Sequence, residues 1–328
     1  MMVDAGHQVV GATLKLWGGV SDSGCCSVAD VDDARRVADQ IGVAHHVFNF
    51  TDDFDASVVA PYVEDHVAGR TPNPCIECNR HIKFGTLLER ARRLGFDALA
   101  TGHHARVDGG PGRWQLRRGA DRAKDQSYVL SMLGQSELVD VVLPVGVLTK
   151  ADVRAYAAGK GLRTAGKADS QDVCFIGSAV GRSGFLGERL ELHAGEIVDA
   201  ESGDVVGVVP AVELVTVGQR RGLGVAVDGR RLYALDVDVG ARRVVVGRAD
   251  AARTKTVAVS RPTWVDGPLA VGTPVYAQTS AHGRAASGRW LGRSVVFDEA
   301  VALVAPGQTV AFYDGDDGDC VVGSAVAA

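Results

Sequence analysis

The chain has 328 residues, of which 46% are hydrophobic and 23% charged, and a formal net charge of −5 at pH 7. Its length exceeds one ordinary hydrophobic core and predicts two or three domains. The acidic balance argues against non-specific coating of nucleic acid but leaves room for a local basic face. No apolar run is long enough to span a bilayer, no secretory leader is expected, and six cysteines are too few for a disulfide framework. We therefore expect a cytoplasmic protein with no membrane partner.

The first third of the chain alternates predicted strands and helices. The predicted elements are a helical turn closed by Gly6, a buried strand over His7–Trp17, a helix from a Ser27 cap to Ile41 that Gly42 ends, a strand over Val43–Phe50, a helix over Asp52–Val67 and a strand over Asp97–Thr101. This alternation predicts a parallel, doubly wound α/β sheet, which binds ligands at the carboxyl ends of its strands. We expect Leu14–Trp17, Thr101–His103 and the Cys78 segment to gather at that edge.

The segment Thr71–Phe84, T-P-N-P-C-I-E-C-N-R-H-I-K-F, carries two of the six cysteines. Prolines on either side of Asn73 predict an extended backbone, and Asn79 predicts the cap of a helix that ends at Gly95. Cys75 would then lie in a rigid loop and Cys78 at a helix N-terminus, where unpaired N–H groups favour the thiolate. The spacing alone also fits half of a zinc site or a dithiol redox pair, although no second C-x-x-C is present.

The rest of the chain changes from mixed elements to strands. A strand over Arg113–Arg118 is followed by a helix opening at K-D-Q-S-Y-V-L (Lys124–Leu130), a helix from Thr149 to Ala158, and D-S-Q-D-V-C-F-I-G at Asp169–Gly177. Beyond Leu192 the pattern predicts strands, with a hairpin over Glu196–Val209 around Ser202-Gly203 and a linker over Ala249–Lys255. We predict a catalytic domain over residues 1–190, a small β domain over 191–250 and a β-barrel over 251–328.

Six motifs in this order resemble the bacterial tRNA-specific 2-thiouridylases of the MnmA family. They are T-P-N-P-C-x-x-C-N-x-x-I-K-F, A-T-G-H-H-A-R, K-D-Q-S-Y, D-S-Q-D-V-C-F-I-G, V-G-Q-R-R-G-L-G and the terminal P-G-Q. The resemblance covers nearly the whole chain. It implies a PP-loop ATPase domain of the adenine nucleotide alpha hydrolase type, followed by a small β domain and a C-terminal β-barrel that contacts tRNA. It also implies a tRNA-uridine 2-sulfurtransferase that uses ATP to thiolate the wobble uridine at C2.

The resemblance implies a role for twelve residues. Cys174 would carry a persulfide, and Cys78, as the nucleophile, would form a transient Cys78–Cys174 disulfide. Asn73, Pro74 and Cys75 would contact the target base, and Leu14 and Gly102 would contact ATP through the main chain. The residues expected at the tRNA are His103, Lys124, Asp125, Gln126 and Gln308. The implied cofactors are ATP and Mg²⁺, and the implied partners are a tRNA and a sulfur-donor protein, either a cysteine desulfurase or a sulfur-relay protein.

Several of these residues also have simpler interpretations. Cys174, between Val173 and Phe175, fits a buried core thiol, and His103 with His104 fits a strand-end pair hydrogen-bonded to a loop. G-Q-R-R-G-L-G at Gly218–Gly224 is by itself a weak signal. Only the ordered set of motifs favours the functional interpretation. Cys25-Cys26 is interpreted as structural and Cys320 as inert.

Two departures from the family pattern affect the expected chemistry. Family members begin with a strand and the loop S-G-G-x-D-S, and we expect that segment to be missing here. The stretch Gly18–Ser23 resembles such a loop but is interpreted as a chance match, because short Gly-Ser-Asp motifs recur often. Cys75 stands where some members have Asp, so Cys75, Cys78 and Cys174 could together hold an iron–sulfur cluster.

Two other classes of function stay open at this stage. One is a different PP-loop enzyme, such as a 4-thiouridine synthase or an amide-forming ligase, which would not need the paired cysteine motifs. The other is a catalytically inactive tRNA- or metal-binding protein, since the missing loop is the obvious phosphate cradle.

The first prediction concerns ATP. A version extended by about 20 residues, enough for one strand, the S-G-G-x-D-S loop and most of a helix, should bind magnesium-ATP tightly because backbone N–H groups then surround the phosphates. The chain of 328 residues should bind it weakly, as measured by calorimetry. Tight binding by the 328-residue chain would instead identify Gly18–Ser23 as a working phosphate loop.

Overall fold

The structure is a computed structural model that describes residues 1–17, 28–110, 112–167, 173–177, 180–224, 229 and 231–328. The chain divides into two compact units. The first comprises Met1–Ala60 and Pro74–Gly181, and the second Pro61–Asn73 and Arg182–Ala328. The ranges predicted for three domains stay predictions. No helix in the described residues combines the length and the apolar character needed to cross a membrane.

The first unit has the mixed α/β architecture that the sequence predicts. Its strands are β1 (Val10–Lys15), β2 (Ala44–Asn49), β3 (Leu99–Ala100), β4 (Ala105–Gly110), β5 (Arg113–Arg118) and β6 (Val141–Val142). β1 pairs in parallel with β2, and β3 pairs in parallel with β6. β4 and β5 form an antiparallel hairpin. The expectation of an α/β fold built on parallel strands is confirmed.

The helices of the first unit end where glycine permits a left-handed residue. They are α1 (Val28–Ile41), α2 (Thr51–Phe54) with a π-helical continuation over Asp55–Val59, α4 (Pro74–Glu77), α5 (Leu88–Arg93), α6 (Gln135–Leu138) and α7 (Lys150–Gly159), with α3 (Ala60–Val67) running into the second unit. Gly95, with a φ of 81°, follows α5, and the N–H of Phe96 bonds to the carbonyl of Ala91. This is the glycine cap that the sequence predicts. α7 likewise begins at Thr149, whose side chain exchanges hydrogen bonds with Asp152.

Two expectations about the first unit are wrong in detail. β1 was predicted to be a buried strand over His7–Trp17, but it spans Val10–Lys15 and its residues alternate between half-buried and exposed. The alternation shows that the β1–β2 pair is covered on one face, with α1 packed against both strands. The helix predicted to open at Lys124 is a short 3₁₀ turn over Ser127–Leu130, because the Asp125 side chain already binds the N–H of Ser127.

The second unit is built almost entirely of strands. After α8 (Gly181–Gly187), of which all but the first residue belongs to this unit, β7 (Gly195–Asp199), β8 (Val205–Val209), β9 (Tyr233–Asp238) and β10 (Arg243–Gly247) form a sheet in the order β8-β7-β10-β9. The hairpin predicted around Ser202-Gly203 is confirmed, and Gly203 has a φ of 75°. The core of this sheet contains Val212, Ala234 and Val244, all fully buried.

The last six strands close into a barrel, as predicted. They are β11 (Arg253–Trp264), β12 (Pro274–Gln278), β13 (Ala286–Trp290), β14 (Ser294–Ala302), β15 (Thr309–Asp314) and β16 (Cys320–Ala327), and β11 pairs with β16 to close the ring. Trp264, Trp290 and Phe312 stack inside, with ring centroids 5.1–5.9 Å apart. The linker predicted over Ala249–Lys255 is too long, because β11 already begins at Arg253.

Candidate active site

The two cysteines of the C-x-x-C motif lie on one helix of the first unit. The prediction that Cys75 lies in a loop and that Asn79 caps the helix is wrong. The helical backbone starts at Pro74 and continues through Cys78–Leu87 into α5. Proline is favoured at the first helical position, where its fixed φ suits the helix and its missing N–H costs nothing. Cys75 therefore lies in the first turn, and Cys78 lies one turn further on and is buried.

The middle of this helix is wider than an α-helix. Cys78–Leu87 is π-helical, and the hydroxyl of Thr86 donates to the carbonyl of His81, five residues earlier, at 3.1 Å. A Cβ on Gly85 would lie 2.9 Å from the carbonyl oxygen of Arg80, so only glycine fits without a backbone shift. π-helical segments are uncommon and occur often at functional sites. This one begins at the predicted nucleophile, Cys78.

The described cysteines Cys75, Cys78, Cys174 and Cys320 are all present as thiols. Cys75 is exposed, but the dense protein around its thiol raises the pKa, and the Lys83 ammonium acts in the opposite direction. Burial of this kind favours the neutral thiol, so Cys75 is poorly suited to be the attacking thiolate. Among the described residues, no three His, Cys, Asp or Glu side chains are arranged to hold a metal ion. The donor set expected for an iron–sulfur cluster is therefore not assembled there.

Cys174 is half-buried next to an aromatic anchor, so the alternative of a fully buried core thiol does not hold. The ring of Phe175 lies 6.2 Å from that of Trp17, just after β1, and 5.6 Å edge-on from that of Phe54 in α2. α2 packs in turn against the π-helical segment that begins at Cys78. The two predicted sulfur-carrying residues thus lie on segments that share a neighbour, α2. The motif residues 168–172, the Gly18–Ser23 stretch, Cys25-Cys26 and the Ser27 cap lie outside the described residues.

The G-H-H segment follows the carboxyl end of β3, as predicted. His103 is 8% exposed, its Nδ1 lies 2.8 Å from Oγ1 of Thr101, and its ring lies 5.8 Å from that of Phe84. Burial, with smaller contributions from Lys83 and His104, lowers the pKa of His103 to about 3. The imidazole is therefore neutral at physiological pH, and it can contact RNA only as a hydrogen-bonding group. A Cβ on Gly102 would meet nothing within 4 Å, so a ligand can approach the main chain there.

The K-D-Q motif divides into one exposed residue and two engaged ones. Lys124 is exposed. The Asp125 carboxylate accepts hydrogen bonds from the N–H groups of Gly119 and Ser127, the Ser127 hydroxyl and Nη1 of Arg118, at 2.8–3.0 Å. The Gln126 side chain accepts from the N–H of His104 at 2.9 Å.

Asn73 and Gln308 lie in the second unit, whereas the other ten predicted residues lie in the first. Nε2 of Gln308 donates to the carbonyl of Thr71, and the N–H of Thr71 donates to the carbonyl of Pro306 at 2.7 Å. The P-G-Q motif thus holds the main chain two residues before Asn73. Leu14, the other predicted ATP contact, is half-buried in β1 opposite Phe48.

Comparison with known proteins decides the family. Three family models match in sequence, described as a tRNA methyl transferase HUP domain (residues 1–178), a tRNA methyl transferase PRC-barrel domain (183–248) and an aminomethyltransferase beta-barrel domain (277–327). A tRNA-specific 2-thiouridylase MnmA of Thermobifida fusca is 43% identical over 324 residues, 96% of this chain and 88% of the relative. Those of Cutibacterium acnes and Roseiflexus castenholzii are 42% and 41% identical, over 99% and 96% of this chain and 90% and 92% of the relatives. The chain belongs to the MnmA family.

The structure adds three residues to the site that the family motifs did not single out. Lys83, inside the I-K-F part of the first motif, influences the pKa values of both Cys75 and His103. Arg118 and Gly119 both bind the Asp125 carboxylate. Lys83 could have been noticed as a cation within an MnmA motif, whereas Arg118 and Gly119 carry no local sequence signal because they act through a long-range contact.

The second prediction concerns the π-helical segment. Gly85→Ala should lower the free energy of unfolding by about 1–3 kcal/mol, because the added methyl group overpacks against the Arg80 carbonyl. Gly159→Ala, in α7, is the matched control, since a Cβ there meets nothing within 4 Å. Urea unfolding followed by circular dichroism measures both. Equal stability of the two variants would contradict the tight approach at Gly85.

Proposed function

We propose that this chain is a tRNA-uridine 2-sulfurtransferase, which uses ATP to convert the wobble uridine of a tRNA to 2-thiouridine. The observation that carries the proposal is the alignment with relatives named tRNA-specific 2-thiouridylase over at least 96% of this chain. The chain also has both thiols that the chemistry requires, Cys78 and Cys174.

The chemistry of the base explains why ATP and a thiol are needed together. The C2 oxygen of uridine is a poor leaving group, and its adenylation by ATP, with release of pyrophosphate, lets it depart as part of AMP. A persulfide on Cys174 would carry the incoming sulfur. Attack of the Cys78 thiolate on the Cys174 sulfur would form a Cys78–Cys174 disulfide and release hydrosulfide, which would attack C2 and expel AMP. A reductant would then restore both thiols.

The described surroundings of the thiols agree with this division of roles. Cys174 is half-buried, so a donor protein can reach it to load sulfur, whereas Cys78 is buried. The raised pKa of Cys75 suits a residue that contacts the base together with Asn73 and Pro74 rather than a nucleophile. The sulfur donor would be a cysteine desulfurase or a sulfur-relay protein, and a cytoplasmic location follows from the tRNA substrate.

ATP would bind with Mg²⁺ at the carboxyl ends of the parallel strands. The open space beside Gly102 supports a main-chain contact with adenosine there, and Leu14 would provide the contact from β1. When bound, ATP supplies the adenylyl group that activates the C2 oxygen.

Other functions remain distinguishable by experiment. The family description names a tRNA methyl transferase, but methyl transfer to tRNA uses neither a pair of thiols nor adenylation. A 4-thiouridine synthase or an amide-forming ligase of the PP-loop type would release pyrophosphate without the same dependence on Cys78 and Cys174. A tRNA-binding protein without activity would release none. Pyrophosphate release with cognate tRNA, together with mass spectrometry of the tRNA nucleosides, separates these outcomes.

The third prediction concerns the thiols. Cys174→Ser and Cys78→Ser should each abolish 2-thiouridine formation with cognate tRNA, ATP and a sulfur donor, because serine carries no persulfide and does not open one. Cys75→Ser should have a milder effect, and Cys320→Ser, another half-buried thiol, is the matched control. Near-normal thiolation by Cys174→Ser, measured by nucleoside mass spectrometry, would refute the persulfide assignment.

Binding of tRNA by an acidic protein requires a focused basic face. The candidates in the sequence are Arg80, Lys83, Arg90, Arg92, Arg93, Lys124, Arg220 and Arg221. Arg80 pairs with Glu77, Arg92 with Asp140 and Arg93 with Glu89, so these three contribute a weaker field to a phosphate backbone. Lys124 is a stronger candidate, since it is exposed and belongs to a family motif.

The fourth prediction follows from Lys124. Lys124→Glu should weaken binding of cognate and non-cognate tRNA alike and reduce the salt dependence of the affinity by about one phosphate contact. Lys160→Glu, which makes the same change in net charge on α7, should bind normally. Filter binding at several salt concentrations measures both variants. Unchanged affinity of Lys124→Glu would remove this residue from the tRNA site.

A further inference from the structure

The turn that carries Gly102, His103 and His104 is held by one residue at two points. Oε1 of Gln126 accepts a hydrogen bond from the N–H of His104 at 2.9 Å. The main-chain N–H of Gln126 donates to the carbonyl of His104, also at 2.9 Å. Both main-chain groups of His104 are therefore satisfied by Gln126, and the assignment of Oε1 is fixed because its partner is an N–H donor.

The neighbouring Asp125 ties the same turn to β5. Its side chain is only 7% exposed, and that of its ion-pair partner Arg118 is 15% exposed. Arg118 stands opposite Ala105, the residue after His104, in the β4–β5 ladder. The N–H of Gly119 also donates to Asp125, and a Cβ on Gly119 would lie 2.5 Å from the carbonyl oxygen of His104. The Asp125 carboxylate is thus used inside the protein, against the same peptide group that Gln126 binds.

We propose that Asp125 and Gln126 are positioning residues for the Gly102–His104 turn rather than contacts to tRNA, and that Lys124 is the residue of the K-D-Q motif that faces the RNA. The inference rests on the proposed function, because it is the thiolation reaction that uses Gly102 and His103. A short turn after a two-residue strand, β3, has few internal restraints of its own. The clamp would keep His103 and the open main chain at Gly102 in place before substrates bind.

The two variants Gln126→Leu and Gln126→Glu separate positioning from contact. Leucine removes the acceptor for the N–H of His104, whereas glutamate keeps it. For Gln126→Leu we expect kcat to fall by about tenfold or more, with the KM for tRNA nearly unchanged, since misplacement affects the reaction geometry more than affinity. Gln126→Glu should recover most of the lost kcat. A residue that touched tRNA through its amide would give the opposite pattern, with KM raised in both variants and more so for the carboxylate.

Amide hydrogen exchange without tRNA gives an independent readout. Exchange of the His104 amide should be faster in Gln126→Leu and close to wild type in Gln126→Glu, while barrel amides of the second unit stay unchanged in both. This result does not depend on turnover, so it still tests the clamp if the wild-type protein makes no 2-thiouridine and the proposed function fails. Wild-type exchange at His104 in Gln126→Leu, or a raised KM for tRNA with normal kcat, would overturn the inference.

Discussion

The packing of Phe54 is the contact on which the candidate site depends. Its side chain is fully buried, its ring meets that of Phe175 edge-on at 5.6 Å, and its helix packs against the π-helical segment of Cys78. Phe175 follows Cys174 directly, so an apolar contact fixes the segment that would carry the persulfide. Burial of an aromatic ring contributes roughly 1.5–3 kcal/mol, which is a large share of a domain's net stability. The chemistry of two thiols thus depends on a hydrophobic contact that contains no sulfur.

The elements that the sequence predicted well are those with strong local signals. Thr149 with Asp152 predicts the start of α7, Gly95 the end of α5, and Ser202-Gly203 the β7–β8 hairpin. The start of the cysteine helix was missed because Pro74 fits both an extended loop and a first helical position, and local sequence does not distinguish the two. The π-helical stretch was missed because it has no periodicity of its own in so short a segment.

Family motifs found the site residues, but not how each of them acts. The motif K-D-Q is a single string in the sequence, yet Lys124 is exposed while Asp125 and Gln126 bind main chain next to His103. The pKa of His103, lowered to about 3 by burial, also follows from packing by residues distant in sequence, such as Phe84. Roles of this kind depend on long-range contacts, and a linear motif cannot express them.

The central claim is that Cys174 delivers sulfur and Cys78 releases it, and the bond between them tests it most directly. The protein would be loaded with sulfur, given ATP and cognate tRNA for one turnover without reductant, then alkylated and digested for peptide mass mapping. The account predicts a Cys78 peptide joined to the Cys174 peptide by a disulfide, in the same amount as the 2-thiouridine formed. Formation of 2-thiouridine with both thiols recovered in the alkylated form would contradict it.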